Sequence, residues 1–126
     1  MITIASKVND LYSFFDTLKT EIGGTLAKNT TEYQLNIDND IAKGSIRSIA
    51  LEDGLAVLEF DIIAHENIKM TIDTRLGTHV NFIYCSKGRF STSFDKEHTT
   101  NTIDAFQTSI VANIMSDQTI ISLEKN

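Results

Sequence analysis

Near the head of the chain, apolar residues recur at intervals of three and four: Val8, Leu11, Phe14, Phe15, Leu18 and Ile22. That spacing places all six on one stripe of a helix. Ser6 or Asn9-Asp10 offers a cap, and Gly23-Gly24 supplies the left-handed residue that commonly ends a helix. The pattern predicts a helix over residues 7–22. Two heptads are too few for a coiled-coil seam, so the stripe is expected to lie against a sheet.

From Leu26 the period changes to two. Tyr33, Leu35 and Ile37 alternate with Gln34, Asn36 and Asp38, which predicts a half-buried strand. Asp38-Asn39-Asp40 reads as a turn and residues 44–52 as the next strand. Asp53-Gly54 then predicts a tight hairpin into residues 55–65, whose even positions Ala56, Leu58, Phe60, Ile62 and Ala64 are all apolar and expected to face inward. Ile68, Met70 and Ile72 alternate in turn, before a loop around Arg75-Leu76-Gly77-Thr78. Residues 80–86 are apolar on both faces, the pattern of a central strand covered on both sides. Lys87-Gly88 is expected to turn it into residues 89–94. Residues 95–102 read as an exposed loop, 103–107 as a short turn, and 110–115 and 119–123 as two last strands. Seven or eight strands and one helix define a mainly β chain. Many short antiparallel strands with tight turns predict a small antiparallel β-barrel over residues 26–124, with the N-terminal α-helix packed on it.

Composition narrows the class of function. The 126 residues suit a single domain, and 41% apolar with 22% charged residues is the balance of a chain that folds around a core. Seventeen acidic against eleven basic residues give a formal charge of −6, the wrong sign for displacing counterions from nucleic acid. No apolar stretch approaches the roughly 20 residues of a membrane span. The first residues show no basic leader with a long apolar segment, so a cytoplasmic location is expected. The single cysteine, Cys85, excludes an internal disulfide and any multi-cysteine metal site, and its neighbours Phe82, Ile83 and Tyr84 predict a buried, inert thiol. Proline is absent altogether, without pointing to a function.

Catalytic chemistry finds no support in the residue pattern. His65, His79 and His98 lack second ligands at a metal-binding spacing, so neither metal nor cofactor is expected. Glu59 and Asp61 share one strand face and read as a solvated pair. Gly77 and Gly88 are turn formers rather than parts of a phosphate loop, and Asn29-Thr30-Thr31 is a glycosylation sequon without consequence in the cytoplasm. A barrel with an aromatic interior would instead enclose one small ligand, with Phe60, Phe82, Tyr84, Phe90 and Phe94 near it, the Tyr84 hydroxyl as a polar contact and Arg89 as an anion contact.

The segment Asn81-Phe82-Ile83-Tyr84-Cys85-Ser86-Lys87-Gly88-Arg89-Phe90-Ser91-Thr92-Ser93-Phe94 carries an aromatic strand, a glycine turn and a second aromatic strand. In this it resembles the barrel hairpin of the cupin-like sensory domains of bacterial AraC-type transcription regulators. Ile41-Ala42-Lys43-Gly44-Ser45-Ile46 and Gly54-Leu55-Ala56-Val57-Leu58-Glu59-Phe60 resemble the preceding strands in the siderophore-responsive branch, and Phe106-Gln107-Thr108-Ser109-Ile110 resembles the return strand. The resemblance covers residues 41–123 through hydrophobic patterns. It implies a jelly-roll barrel that binds a small-molecule effector, forms a homodimer, or does both, and that controls DNA only through a helix-turn-helix domain expected beyond Asn126. The paired histidines, glutamate and later histidine of metal-dependent cupin enzymes are not found in this sequence. The expectation is therefore a non-enzymatic regulatory domain with no membrane partner. The alternatives are a stand-alone small-molecule-binding barrel and a metal-dependent cupin enzyme.

Overall fold

A helix with one apolar stripe needs a surface to cover, and here it finds two. In the computed structural model, which describes residues 2–7, 11–50, 56–73, 79–94, 100–113 and 118–125, helix α1 spans Leu11–Ile22 and buries Phe14, Phe15, Leu18 and Ile22. Phe15 meets Phe14 edge-on at 5.5 Å and stacks on Tyr33 at 5.6 Å. Tyr12, Ser13, Asp16, Lys19 and Thr20 face outward. The helix starts at Leu11 rather than at residue 7, because Ile2–Lys7 form a strand, β1; Val8 lies outside the described residues. Ile4 is buried while Thr3 and Ala5 are exposed, an alternation too short to stand out beside the helical stripe.

Beyond α1 come β2 (Thr25–Lys28), β3 (Glu32–Asp38), β4 (Ala42–Ala50) and β5 (Ala56–Ala64), which form a four-stranded antiparallel meander in chain order. Next are β6 (Ile68–Asp73), β7 (His79–Tyr84), β8 (Arg89–Phe94), β9 (Thr100–Asp104), β10 (Thr108–Asn113) and β11 (Gln118–Leu123). A second sheet runs in the order β1-β6-β11-β8-β9, with β1 parallel to β6 and the other pairs antiparallel; β7 and β10 make a third, two-stranded sheet. A parallel pair requires a long crossover. Here the crossover from β1 to β6 is the helix plus the whole meander.

The fold is mainly β with one helix, but among the described residues no sheet closes on itself, so the expected barrel is not formed. One core unites the two larger sheets instead. Ile4, Ile68 and Met70 from one, Leu35, Ile37, Ala42, Ile46 and Ala64 from the other, and the four helical side chains make a single cluster.

Turn chemistry fixes the meander. The Asn29 side-chain carbonyl accepts from the Thr31 and Glu32 amides at 3.1 and 2.9 Å, so the sequon forms the β2–β3 turn. Asn39 does the same for Ile41 and Ala42, and its amide donates to the Ile22 carbonyl at 2.8 Å, tying the β3–β4 turn to the end of α1. The β4–β5 register pairs Ala50 with Ala56 and Ile46 with Phe60. A two-residue turn at Asp53-Gly54, which lies outside the described residues, would pair Glu52 with Leu55. That register would set Ile46 opposite Asp61 and mix the two faces, so the hydrophobic pattern overrides the turn signal. The expected loop at 75–78 also lies outside the described residues. Part of the expected 95–102 loop and of the 103–107 turn is strand β9.

Gly44 sits within β4 at φ 134°, where a Cβ would collide with the Asp61 carbonyl oxygen of β5. Gly88 has φ 76° but open space around the missing Cβ. Gly44→Ala is therefore expected to lower unfolding free energy by about 2 kcal/mol or more, whereas Gly88→Ala costs about 1 kcal/mol from backbone strain alone. Urea unfolding of the two variants checks the order; equal losses would mean that the close approach of β4 to β5 carries no cost.

Candidate functional site

The candidate ligand residues cluster in one supersecondary unit. β8 and β9 pair from Arg89 opposite Asp104 to Ser93 opposite Thr100, and β7 and β10 pair from Tyr84 opposite Thr108 to His79 opposite Asn113. Both ladders belong to one antiparallel hairpin, residues 79–113. Between them, residues 85–88 of one strand face only residues 105–107 of the other, so the register slips by one. Such a bulge bends a hairpin and raises its twist.

Hydrogen bonds define this corner. The Cys85 amide donates to the Gln107 carbonyl at 3.1 Å, the Phe106 amide donates to the Cys85 carbonyl at 2.6 Å, and the Gln107 amide donates back to the Asp104 carbonyl at 3.1 Å. The Gln107 side chain accepts from the Asp104 amide at 2.9 Å. Phe106 takes φ 67°, a left-handed conformation uncommon for a bulky side chain, and is 78% exposed. On the far side of the corner, β8 also pairs with β11 from Ser91 to Phe94, which anchors that half in the five-stranded sheet. There Ser91 and Thr92 are buried, and the Ser91 and Thr102 hydroxyls lie 3.4 Å apart.

Two expectations change as a result. The stretch expected to be a central strand is β7, which pairs with β10 in a two-stranded sheet. Lys87-Gly88 does not fold β7 back on β8; the two strands continue one another around the corner and pair with different partners. An apolar pattern on both faces marks a strand without saying which segment pairs with it.

Of the six candidate ligand residues, Phe60 stands apart on β5, half-buried against the core. Phe82 and Tyr84 lie on β7, and Arg89, Phe90 and Phe94 on β8. Tyr84 is 60% exposed. Arg89 is exposed, and its Nε lies 3.2 Å from the Asp104 carboxylate across the ladder, so an incoming anion would compete with that pair. The Phe82, Phe90 and Phe94 side chains lie outside the described residues.

Cys85 is buried as expected, its thiol directed at the Lys87 and Gly88 carbonyls at 3.5 and 3.6 Å. Glu59 and Asp61 are exposed, and Glu59 lies 3.4 Å from Arg47, which also lies 3.7 Å from Glu32. His65 is exposed, His79 opens β7, and His98 lies outside the described residues. Among the described residues, no three His, Cys, Asp or Glu side chains converge as metal ligands, and no helix is long and apolar enough to cross a membrane. The strained Phe106 and the Glu32–Arg47–Glu59 group are visible only in the structure. Phenylalanine ordinarily avoids the left-handed region, and the three charges sit on three different strands.

Compared with protein-family models, curated proteins and solved structures, the chain matches none.

Two outcomes test this corner. Phe106→Gly relieves a left-handed backbone costing about 1–2 kcal/mol and forfeits little burial, so urea unfolding should show stability unchanged or raised by about 1 kcal/mol; a clear loss would mean that the ring packs. A thiol reagent such as dithionitrobenzoate should leave Cys85 unlabelled in buffer and label it fully in denaturant; rapid labelling of the folded chain would contradict its burial.

Proposed function

We propose that the chain is the effector-sensing and dimerisation domain of an AraC-type transcription regulator, cupin-like in its strand pattern although no sheet of the described residues closes into a barrel, acting in the cytoplasm by binding rather than catalysis. The observation that carries this reading is spatial. The separate stretches that resemble the family, residues 81–94 and 106–110, lie side by side, with Phe82 opposite Ile110, Ile83 opposite Ser109 and Tyr84 opposite Thr108. The two upstream stretches pair likewise, Ile46 opposite Phe60. Both pairs are successive arms of antiparallel hairpins, as the resemblance implies for the return strand and the preceding strands, while residues 81–94 themselves bend around the corner at 85–88 rather than folding back. The formal charge of −6 agrees with a division of labour in which phosphate contacts reside in another domain.

In this reading, a small-molecule effector reaches the unit that carries Phe82, Tyr84, Arg89, Phe90 and Phe94, with Phe60 on the neighbouring sheet. The exposed Tyr84 offers its hydroxyl to it, and Arg89 meets an anionic group by exchanging Asp104. The effector biases the geometry of a dimer or of the contact with the DNA-binding domain, and it does so only as far as it binds the two states unequally.

Two measurements test the proposal. Reading the gene past the codon for Asn126 should give a continuing frame with a basic, helix-turn-helix pattern; a stop codon there would end it. In the full-length protein, an effector found by thermal-shift screening should change operator affinity by about tenfold, a typical coupling of about 1.4 kcal/mol, and an effector that binds without changing DNA affinity would refute the mechanism.

A further inference from the structure

Strand β5 ends the four-stranded meander, and among the described residues no strand pairs with its outer edge. The direction of its backbone groups follows from the ladder. His65 donates its amide to the Ile41 carbonyl at 2.8 Å, and Asn39 donates to the Ala42 carbonyl at 3.0 Å, so odd residues of β5 bond toward β4. By antiparallel alternation, Leu58, Phe60 and Ile62 direct their amides and carbonyls to the open edge. Natural sheets usually blunt such an edge with proline, lysine, a bulge or a short strand. This one has nine residues in continuous register and no proline or lysine. It exposes Val57 at 47%, Leu58 at 38% and Ile63 at 48%.

The face beside that edge selects the occupant. Val57, Glu59, Asp61 and Ile63 alternate along β5 on the side away from the helix, with Ile49, Arg47, Ser45 and Lys43 opposite them on β4. Glu32 and Asp38 lie on the same face of β3, so four carboxylates stand against two cations there. Arg47 lies between Glu32 and Glu59, one strand back from the rim, which leaves the two β5 carboxylates nearest an incoming strand. A second copy of this chain suits the edge poorly. A twofold pairing centred on Phe60 sets Glu59 of each copy opposite Asp61 of the other, centring on Glu59 or Asp61 sets that residue against itself, and centring on Leu58 or Ile62 escapes the clash only by leaving about half of each nine-residue strand in register. Like charges directly opposed destabilise a ladder.

We propose that the open edge of β5 is a docking site for an extended, basic polypeptide segment of another protein. The segment adds as a fifth strand, its backbone pairing with Leu58, Phe60 and Ile62. Its alternate side chains follow an apolar, basic, basic, apolar order against Val57, Glu59, Asp61 and Ile63.

The test uses a fluorescent nine-residue peptide, Thr-Val-Thr-Lys-Thr-Lys-Thr-Val-Thr, a version with both lysines replaced by glutamate, and the lysine peptide N-methylated at alternate backbone positions. The lysine peptide is expected to bind at least about tenfold more tightly than the other two. Its binding should weaken with salt and slow amide exchange at Leu58, Phe60 and Ile62. Leu58→Pro keeps the β4 ladder, because that amide points outward, and should abolish binding; Asp61→Lys, at an exposed position, should erase the preference for lysine over glutamate. Equal binding of the lysine and glutamate peptides, or binding indifferent to Leu58→Pro in a variant whose circular dichroism is unchanged, would overturn the proposal. So would a dimer in sedimentation that Leu58→Pro dissolves, since the edge would then belong to a second copy.

Discussion

The two larger sheets share no ladder hydrogen bond among the described residues, so what joins them is the apolar stripe of α1. Phe14, Phe15, Leu18 and Ile22 are contained in the same cluster as Ile4, Ile68 and Met70 on one side and Leu35, Ile37 and Ile46 on the other. Each fully buried side chain of this size contributes about 1.5–3 kcal/mol, and the helix lies against strands of both sheets, β1 on one side and β3 on the other. The stacked pair of Phe15 and Tyr33 adds a directional contact, and Asn39 bonds the helix terminus to the turn between β3 and β4.

Away from that core the architecture opens. The 79–113 hairpin is anchored to the five-stranded sheet through β8, and past the bulge its other half is the two-stranded sheet of β7 and β10. The corner brings an exposed Tyr84, a strained and exposed Phe106 and a buried thiol within a few residues of one another. The acidic face and free edge of β5 belong to the other large sheet. A candidate effector unit and a candidate protein-docking edge thus rest on separate parts of the fold, the one anchored through β8 to the five-stranded sheet and the other at the rim of the meander.

Much of the local structure is legible in the residue order. The helical stripe, the β3 alternation, the turn at Asp38-Asn39-Asp40, the buried Cys85 and the solvated Glu59 and Asp61 all follow from spacing and side-chain chemistry that act over a few residues. β1 leaves little trace in the residue order, because six residues with two isoleucines carry a weak signal. β9 has the composition of a loop and turn, because Thr100-Asn101-Thr102 is polar, although Ile103 is buried. The hairpin expected between β7 and β8 failed for a different reason: a glycine turn marks a change of direction without stating its angle.

By itself, then, the sequence determined that the chain is mainly β with one amphipathic helix, and which face of most segments turns inward, because those properties follow from a period of two or 3.6 residues. Only the tertiary structure decided that β1 pairs in parallel with β6 across 60 intervening residues (8–67), that 79–94 bends around a corner instead of folding back, and that no sheet of the described residues closes on itself. Pairing partners are chosen by how much apolar surface the whole chain can cover at once, and no local pattern carries that information.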